Sequence, residues 1–239
     1  MHFLFEVARW FADPAHWHGT DGIPHRVFEH VELSALAVVC AFILAVPAGV
    51  VLGHLKRGGV LAVSVVNVGR AIPSFAIVAV ALPITIRLHL GFGFWPTWLA
   101  VFALALPPMF TQSYTAIRNV DVEAVSAARG MGLTGGEILR DVELPLGAPL
   151  ITAGIRIAAV QVVATAPLGA VVGWGGLGRY IIDGLSQFDM PKVFAGALLV
   201  ALLAVATELA FDVLERIVLP RGVRRLSRAE VATGVAKAG

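Results

Sequence analysis

Ionisable side chains are scarce in this chain, and their positions limit the chemistry open to it. Arg70, Arg156, Glu208, Asp212 and Glu215 lie within long apolar runs, whereas Arg118, Asp121, Glu123, Arg129, Glu137, Arg140, Asp141 and Glu143 crowd residues 118–145. Charges at membrane depth are costly and normally pair or face water, so the first group are candidates for a solute pathway. The seven histidines, among them His16, His18, His25 and His30, raise the question of a metal. They form no H-E-x-x-H pair and stand among interfacial aromatic residues, so they read as solvated side chains. No motif places a nucleophile beside a base, and no G-x-x-x-x-G-K-[ST] sequence is present to cradle nucleotide phosphates. Cys40 is the single cysteine and sits in an apolar run, which excludes a disulfide within one chain.

The elements that must carry these residues follow from composition. Hydrophobic residues make up 58% of the 239 and charged residues 14%, far from the soluble norm of about 45–50% and about 25%. Five runs approach the roughly 20 apolar residues that cross a bilayer: 31–53, 62–88, 96–117, 149–173 and 192–219. The second contains Arg70-Ala71-Ile72-Pro73-Ser74, and a proline there predicts a kink or break facing the bundle interior. Residues 1–30 mix charges with Phe3, Phe5, Trp10, Phe11 and Trp17, unlike a cleaved signal, and read as an interfacial segment. With 118–145 inside, eleven of the 18 Lys and Arg lie on inside segments and five on outside ones. That bias predicts an outside N-terminus and an inside C-terminus ending in a basic tail, 221–239. A net charge of +2, dispersed along the chain, makes no case for nucleic acid.

The polar island has its own local logic. Val122, Val125 and Ala128 recur every three residues and give a short helix one apolar stripe. Gly130 and Gly132 end that helix, because glycine tolerates the left-handed backbone found just past a helix. Thr134 and Glu137 fit a capping box that starts a second helix near residue 135. Ile138, Leu139 and Val142 line its apolar face, and Pro145 is expected to close the unit before the fourth span. Two short helices at an angle would make a rigid knob suited to a partner's groove.

Ser126-Ala127-Ala128, three residues, Gly132, nine residues, then Val142-x-Leu144-Pro145 resembles the cytoplasmic coupling motif of ABC importer permeases. Ser126 stands where that family usually has Glu, with Glu123-Ala124 one turn earlier. His30-Val31-Glu32-Leu33-Ser34, Ile72-Pro73-Ser74-Phe75-Ala76, Ala127-Ala128-Arg129-Gly130-Met131-Gly132 and Gly173-Trp174-Gly175-Gly176-Leu177-Gly178 are similar to segments of the glycine betaine/carnitine/choline group. The resemblance implies an all-α integral membrane protein of the type I importer architecture, multi-pass in a prokaryotic plasma membrane, with its permease domain at 31–220. It implies an ATPase subunit that hydrolyses ATP and docks on Glu123, Ser126, Ala127, Ala128, Gly130, Gly132, Val142, Leu144 and Pro145. A second permease subunit (a paralogue or a copy of this chain) and an extracytoplasmic solute-binding protein complete the expected set. The chain itself would bind no cofactor and catalyse nothing.

Arg70, Pro73, Ser74, Arg156 and Gln161 are the pathway or gate candidates. Arg70 could line the pathway or satisfy carbonyls freed at the break; Arg156, near the start of span four, reads rather as snorkelling to the inner surface. Gln161, Thr165 and Ser74 suit hydrogen bonds across helices. Glu208, Asp212 and Glu215 share one face of span five by their spacing. Trp95, Trp98 and Trp174 read as interface anchors, leaving any aromatic cage for a quaternary ammonium to the separate binding protein. A small compatible solute such as glycine betaine, choline, carnitine or proline is the expected cargo. The alternatives are another small solute such as methionine, or an ion-gradient-driven carrier with no ATPase.

Overall fold

The computed structural model describes residues 2–56, 64 and 73–218. Among them every regular element is a helix. A short helix α1 (His2–Ala12) and a 3₁₀ turn (Pro14–Trp17) lead into α2 (Ile23–His54). There follow α3 (Ser74–Arg87), α4 (Phe94–Arg118), α5 (Val122–Gly130) and α6 (Gly135–Ile138). A π-helical segment (Leu139–Glu143) joins α6 to α7 (Leu144–Thr165), which tightens into a 3₁₀ stretch (Ala166–Val172). Helices α8 (Gly178–Gln187) and α9 (Met190–Val218) complete the described chain.

Among the described residues, four helices are long and apolar enough to cross a membrane: Ile23–His54, Phe94–Arg118, Gly135–Val172 and Met190–Ile217. The first starts eight residues before the expected 31, because Ile23-Pro24 opens α2 with proline in its first turn, where no backbone donor is needed. Much of the expected second span, Arg70 included, lies outside the described residues. Its second half is α3, 14 residues long. Pro73 has φ −59° and ψ 129°, so it is extended rather than helical, and its carbonyl accepts from Ala76 and Ile77 N–H as the new helix starts. A helix therefore starts directly after Pro73, and the other side of the expected break lies outside the described residues.

The core forms where α2, α4 and α7 meet. Leu33, Ala37, Ala41, Ala45, Gly49 and Gly53 recur every four residues along α2, giving one narrow stripe of mostly small side chains. A Cβ at Gly49 would lie 2.7 Å from the Phe110 carbonyl oxygen, and one at Gly53 would lie 2.9 Å from that of Tyr114. Small residues thus let α2 and α4 touch backbone to backbone, where close packing replaces a hydrophobic drive that lipid does not supply. Val101, Ala105, Met109, Phe110, Tyr114 and Ile117 of α4 fill the other side, with Ala158 and Val162 of α7. Helix α1 lies on α9 through Phe3 against Phe194, 5.6 Å between ring centroids. Leu202, Val205, Leu209, Val213 and Ile217 of α9 stay exposed, as a lipid-facing surface requires.

Candidate functional site

The segment between α4 and α7 folds as a knob with a small core of its own. Asp121 caps α5 by accepting from Glu123 N–H at 2.8 Å. At the far end Leu133 N–H reaches the Ala128 carbonyl at 3.2 Å, and Gly132 N–H reaches that of Arg129 at 3.0 Å. Gly132 has φ 90°, so the pair of bonds forms a Schellman motif with glycine at its left-handed position. The next residues form the expected capping box: Glu137 N–H donates to Thr134 Oγ1, and Thr134 N–H donates to Glu137 Oε2 at 2.7 Å. Val125, Ala128 and Ile138 are buried together, with Val120, Leu133 and Val142 packed around them.

Two local expectations need correction. Val122 is 63% exposed and takes no part in the stripe, since the chain enters α5 at Asp121 with that residue already turned outward. Nor does Pro145 close the knob. Helices α6 and α7 run on as one 38-residue rod, Gly135–Val172, through the π turn. Leu144 N–H bonds the Leu139 carbonyl five residues back, a wider turn placed directly before the proline that lacks a donor. Leu139 and Leu144 on this turn pack against the main core while Val142 packs in the knob, so one rigid element spans both.

A contact that sequence reasoning missed fastens the knob to α2. Glu143 is 3% exposed, and its Oε2 lies 2.5 Å from Nδ1 of His54, the last residue of α2. The partners stand 89 residues apart in the chain. Only the charge of Glu143 beside an apolar run hinted that it needed a partner. On the outward face Glu123, Ser126, Ala127 and Gly130 are exposed, as is Met131 at 75%.

Of the pathway candidates, Arg70 lies outside the described residues. Pro73 is exposed, Ser74 is half-buried at the start of α3, and Gln161 is half-buried on α7. Arg156 is paired across helices: its Nη1 lies 3.5 Å from Glu208 Oε1 and 3.6 Å from Glu215 Oε2 of α9. Those two acids do share a face of α9, as their spacing predicted, and Asp212 pairs instead with Arg216 at 2.6 Å. Two histidines read as solvated are structural. His30 is buried, its Nε2 2.9 Å from the Val163 carbonyl, and His16 stacks on Trp10.

Residues 41–220 match the family described as binding-protein-dependent transport system inner membrane component. The chain belongs to this family. The permease is 37% identical over 202 residues to the choline transport system permease protein OpuBB of Bacillus subtilis, covering 84% of this chain and 91% of that protein. It is 36% identical to the glycine betaine/carnitine/choline transport system permease protein OpuCB of the same organism, covering 84% and 90%. Against the osmoprotectant import permease protein OsmW of Salmonella typhimurium the identity is 34%, covering 82% and 92%. Its fold matches a chain of the inward-facing MetNI methionine ABC transporter with TM-score 0.71 and 22% identity, over 83% of this chain and 96% of that one. The permease is therefore a multi-pass plasma-membrane protein with an ABC importer permease fold.

Proposed function

We propose that this permease is the membrane-spanning subunit of an ATP-driven importer for small compatible solutes that carry a quaternary ammonium group. The observation that supports this cargo is the identity of 34–37%, over nearly the whole length of each relative, to permeases named for choline, glycine betaine, carnitine and osmoprotectants. The methionine transporter that shares the fold is only 22% identical and says nothing of cargo.

In this reading the knob docks in a groove of a separate ATPase subunit. Glu123, Ser126, Ala127, Gly130 and Met131 form the contact face, while Ala128, Val142 and Gly132 hold its shape. The chain brings no nucleotide site and no bound cofactor, so ATP is hydrolysed by that partner. ATP-driven closure of two such partners moves two knobs, and the rod from Gly135 to Val172 carries the motion into the membrane. Leu144 and Pro145 sit at the turn where knob and rod join. A second permease subunit completes the pathway, and a binding protein delivers solute at the opposite, outer end. Five spans, with 1–30 outside, 31–220 as the permease domain and 221–239 inside, complete the topology. Arg70, Pro73 and Ser74 at the break, with Arg156 and Gln161 on α7, remain the proposed gate residues.

The test is uptake of labelled glycine betaine by vesicles carrying the permease with its neighbouring gene products. The expected result is ATP-dependent uptake, suppressed by excess choline or carnitine and indifferent to methionine. Uptake of methionine alone would keep the coupling mechanism and discard the cargo. Uptake driven by an ion gradient without ATP would overturn both.

A further inference from the structure

At the end of the bundle opposite the knob, three segments far apart in sequence line an open cavity of about 550 Å³. Arg26 and Glu29 come from the first turns of α2, Phe92 and Phe94 from the approach to α4, and Trp174 and Arg179 from the Gly-rich stretch after α7. Its charged wall is held in place before any ligand arrives. Arg26 Nη1 donates to Glu29 Oε2 at 2.7 Å, Gly176 N–H donates to the same oxygen at 2.8 Å, and Arg26 also pairs with Asp21. A Cβ at Gly175 would lie 2.3 Å from that carboxylate, so only glycine leaves room for it. Arg179 is steadied by Asp183 at 2.9 Å. Tyr180 donates its hydroxyl to the Asp21 carbonyl at 2.6 Å. Burial pushes that hydroxyl up to about 12, so it stays a donor throughout the working range of pH.

The other wall is aromatic. Trp174 meets Phe94 nearly edge to face, 4.9 Å between centroids, and is no isolated interface anchor. Phe92 lines the same cavity and is 72% exposed. Membrane anchoring accounts for one exposed ring at an interface. Phe94 and Trp174 also pack on the main core, but anchoring does not account for Phe92 and Trp174 lining one cavity with a carboxylate that a backbone N–H holds in place.

Aromatic faces attract cations, and a quaternary ammonium is the cation that gains most, since it has no N–H to offer a polar acceptor. Both guanidinium groups are paired, Arg26 with Asp21 and Glu29 and Arg179 through Nη2 with Asp183, so a negative end on the ligand would be gripped by the remaining N–H groups of Arg179. We propose that this cavity is a solute site within the permease itself, and that it takes a zwitterion bearing both a quaternary ammonium group and a carboxylate. The inference rests on the cargo class and on this end facing outward, as set out under the proposed function. It adds that selection continues after the binding protein lets go, and that glycine betaine or carnitine is preferred over choline.

The experiment is equilibrium binding of labelled glycine betaine and choline to the permease–ATPase complex in lipid nanodiscs, with the binding protein left out. Glycine betaine should bind, and choline should bind about tenfold more weakly for want of a carboxylate. Phe92→Ala, at an exposed position, should weaken betaine about tenfold. Trp174→Ala should do the same, with Trp174→Phe restoring most of the loss. Arg179→Gln should bring betaine down to the level of choline and leave choline unchanged. No binding of betaine, or equal binding by wild type, Phe92→Ala and Trp174→Ala, overturns the site while betaine uptake by the full transporter continues. Methionine binding that the same substitutions abolish overturns the ligand class. Failure of the full transporter to import any quaternary amine counts against the cargo reading instead.

Discussion

The two ends of the bundle are built on opposite plans. The knob end is closed by local devices: an aspartate cap, a Schellman turn at Gly132 and a capping box at Thr134, all around one apolar cluster. Its long-range fastening is the buried Glu143–His54 contact. The opposite end depends on contacts between remote segments, Glu29 to Gly176 and Tyr180 to Asp21, and leaves aromatic rings open to a cavity. Under the proposed function, the difference suits two mechanical duties. A part that transmits force gains from short loops whose every polar group is satisfied, because then it moves as one body. A part that exchanges solute must keep some surface unfilled, and it holds its charges by pairing them with one another.

The strongest break of this contrast is Ala128→Glu. It forces a carboxylate into the Val125–Ile138 cluster, at a cost of roughly 3–5 kcal/mol for an unpaired buried charge. ATP-coupled uptake should disappear while the protein still appears in the membrane fraction. Betaine binding at the far end should survive, and its loss would show that the two ends do not fold independently.

Glu143→Ala comes next. It empties a buried position and leaves His54 without its partner, a loss of about 1–3 kcal/mol. ATPase activity should continue with reduced transport per ATP, because the knob would move without drawing α2 along. A double-mutant cycle with His54→Ala, read by thermal unfolding of the complex, should give strongly non-additive losses. Additive losses would mean that the contact carries no coupling.

Gly132→Ala should cost about 1 kcal/mol, from the positive φ alone. Nothing lies within 4 Å of a Cβ there, so the effect is in the backbone and not in packing. Uptake at intermediate levels, recovered at lower temperature, is the expected reading. Ser126→Glu should change stability least, within about 0.5 kcal/mol, because the side chain is exposed. Its effect should appear only in affinity for the ATPase subunit, measured by co-purification at rising salt.

Much of the knob was legible in the sequence because its signals are local. Thr134 and Glu137 are three residues apart, and one turn of backbone brings them together whatever the rest of the chain does. Val122 misled because a three-residue period says which side chains align, not where the helix entry turns the first of them. The rod from Gly135 to Val172 was hidden by Pro145, a residue that normally ends a helix; only the π turn before it lets the helix continue. The partners of Arg156 were hidden for a different reason. They lie some 50 residues on, in another helix, and no period along α7 points to them.

The sequence by itself determined the class of this protein, its apolar runs, the helix start after Pro73 and the closures of the knob. Each depends on composition or on hydrogen bonds within a few residues. Tertiary structure alone decided that Glu143 meets His54, that Arg156 is shared by Glu208 and Glu215, and that residues 26–29, 92–94 and 174–179 surround one cavity. Those pairings are set by how closely α2, α4 and α7 approach and in what register. That approach depends on small residues meeting across helices, a property of the packed pair that neither helix carries alone.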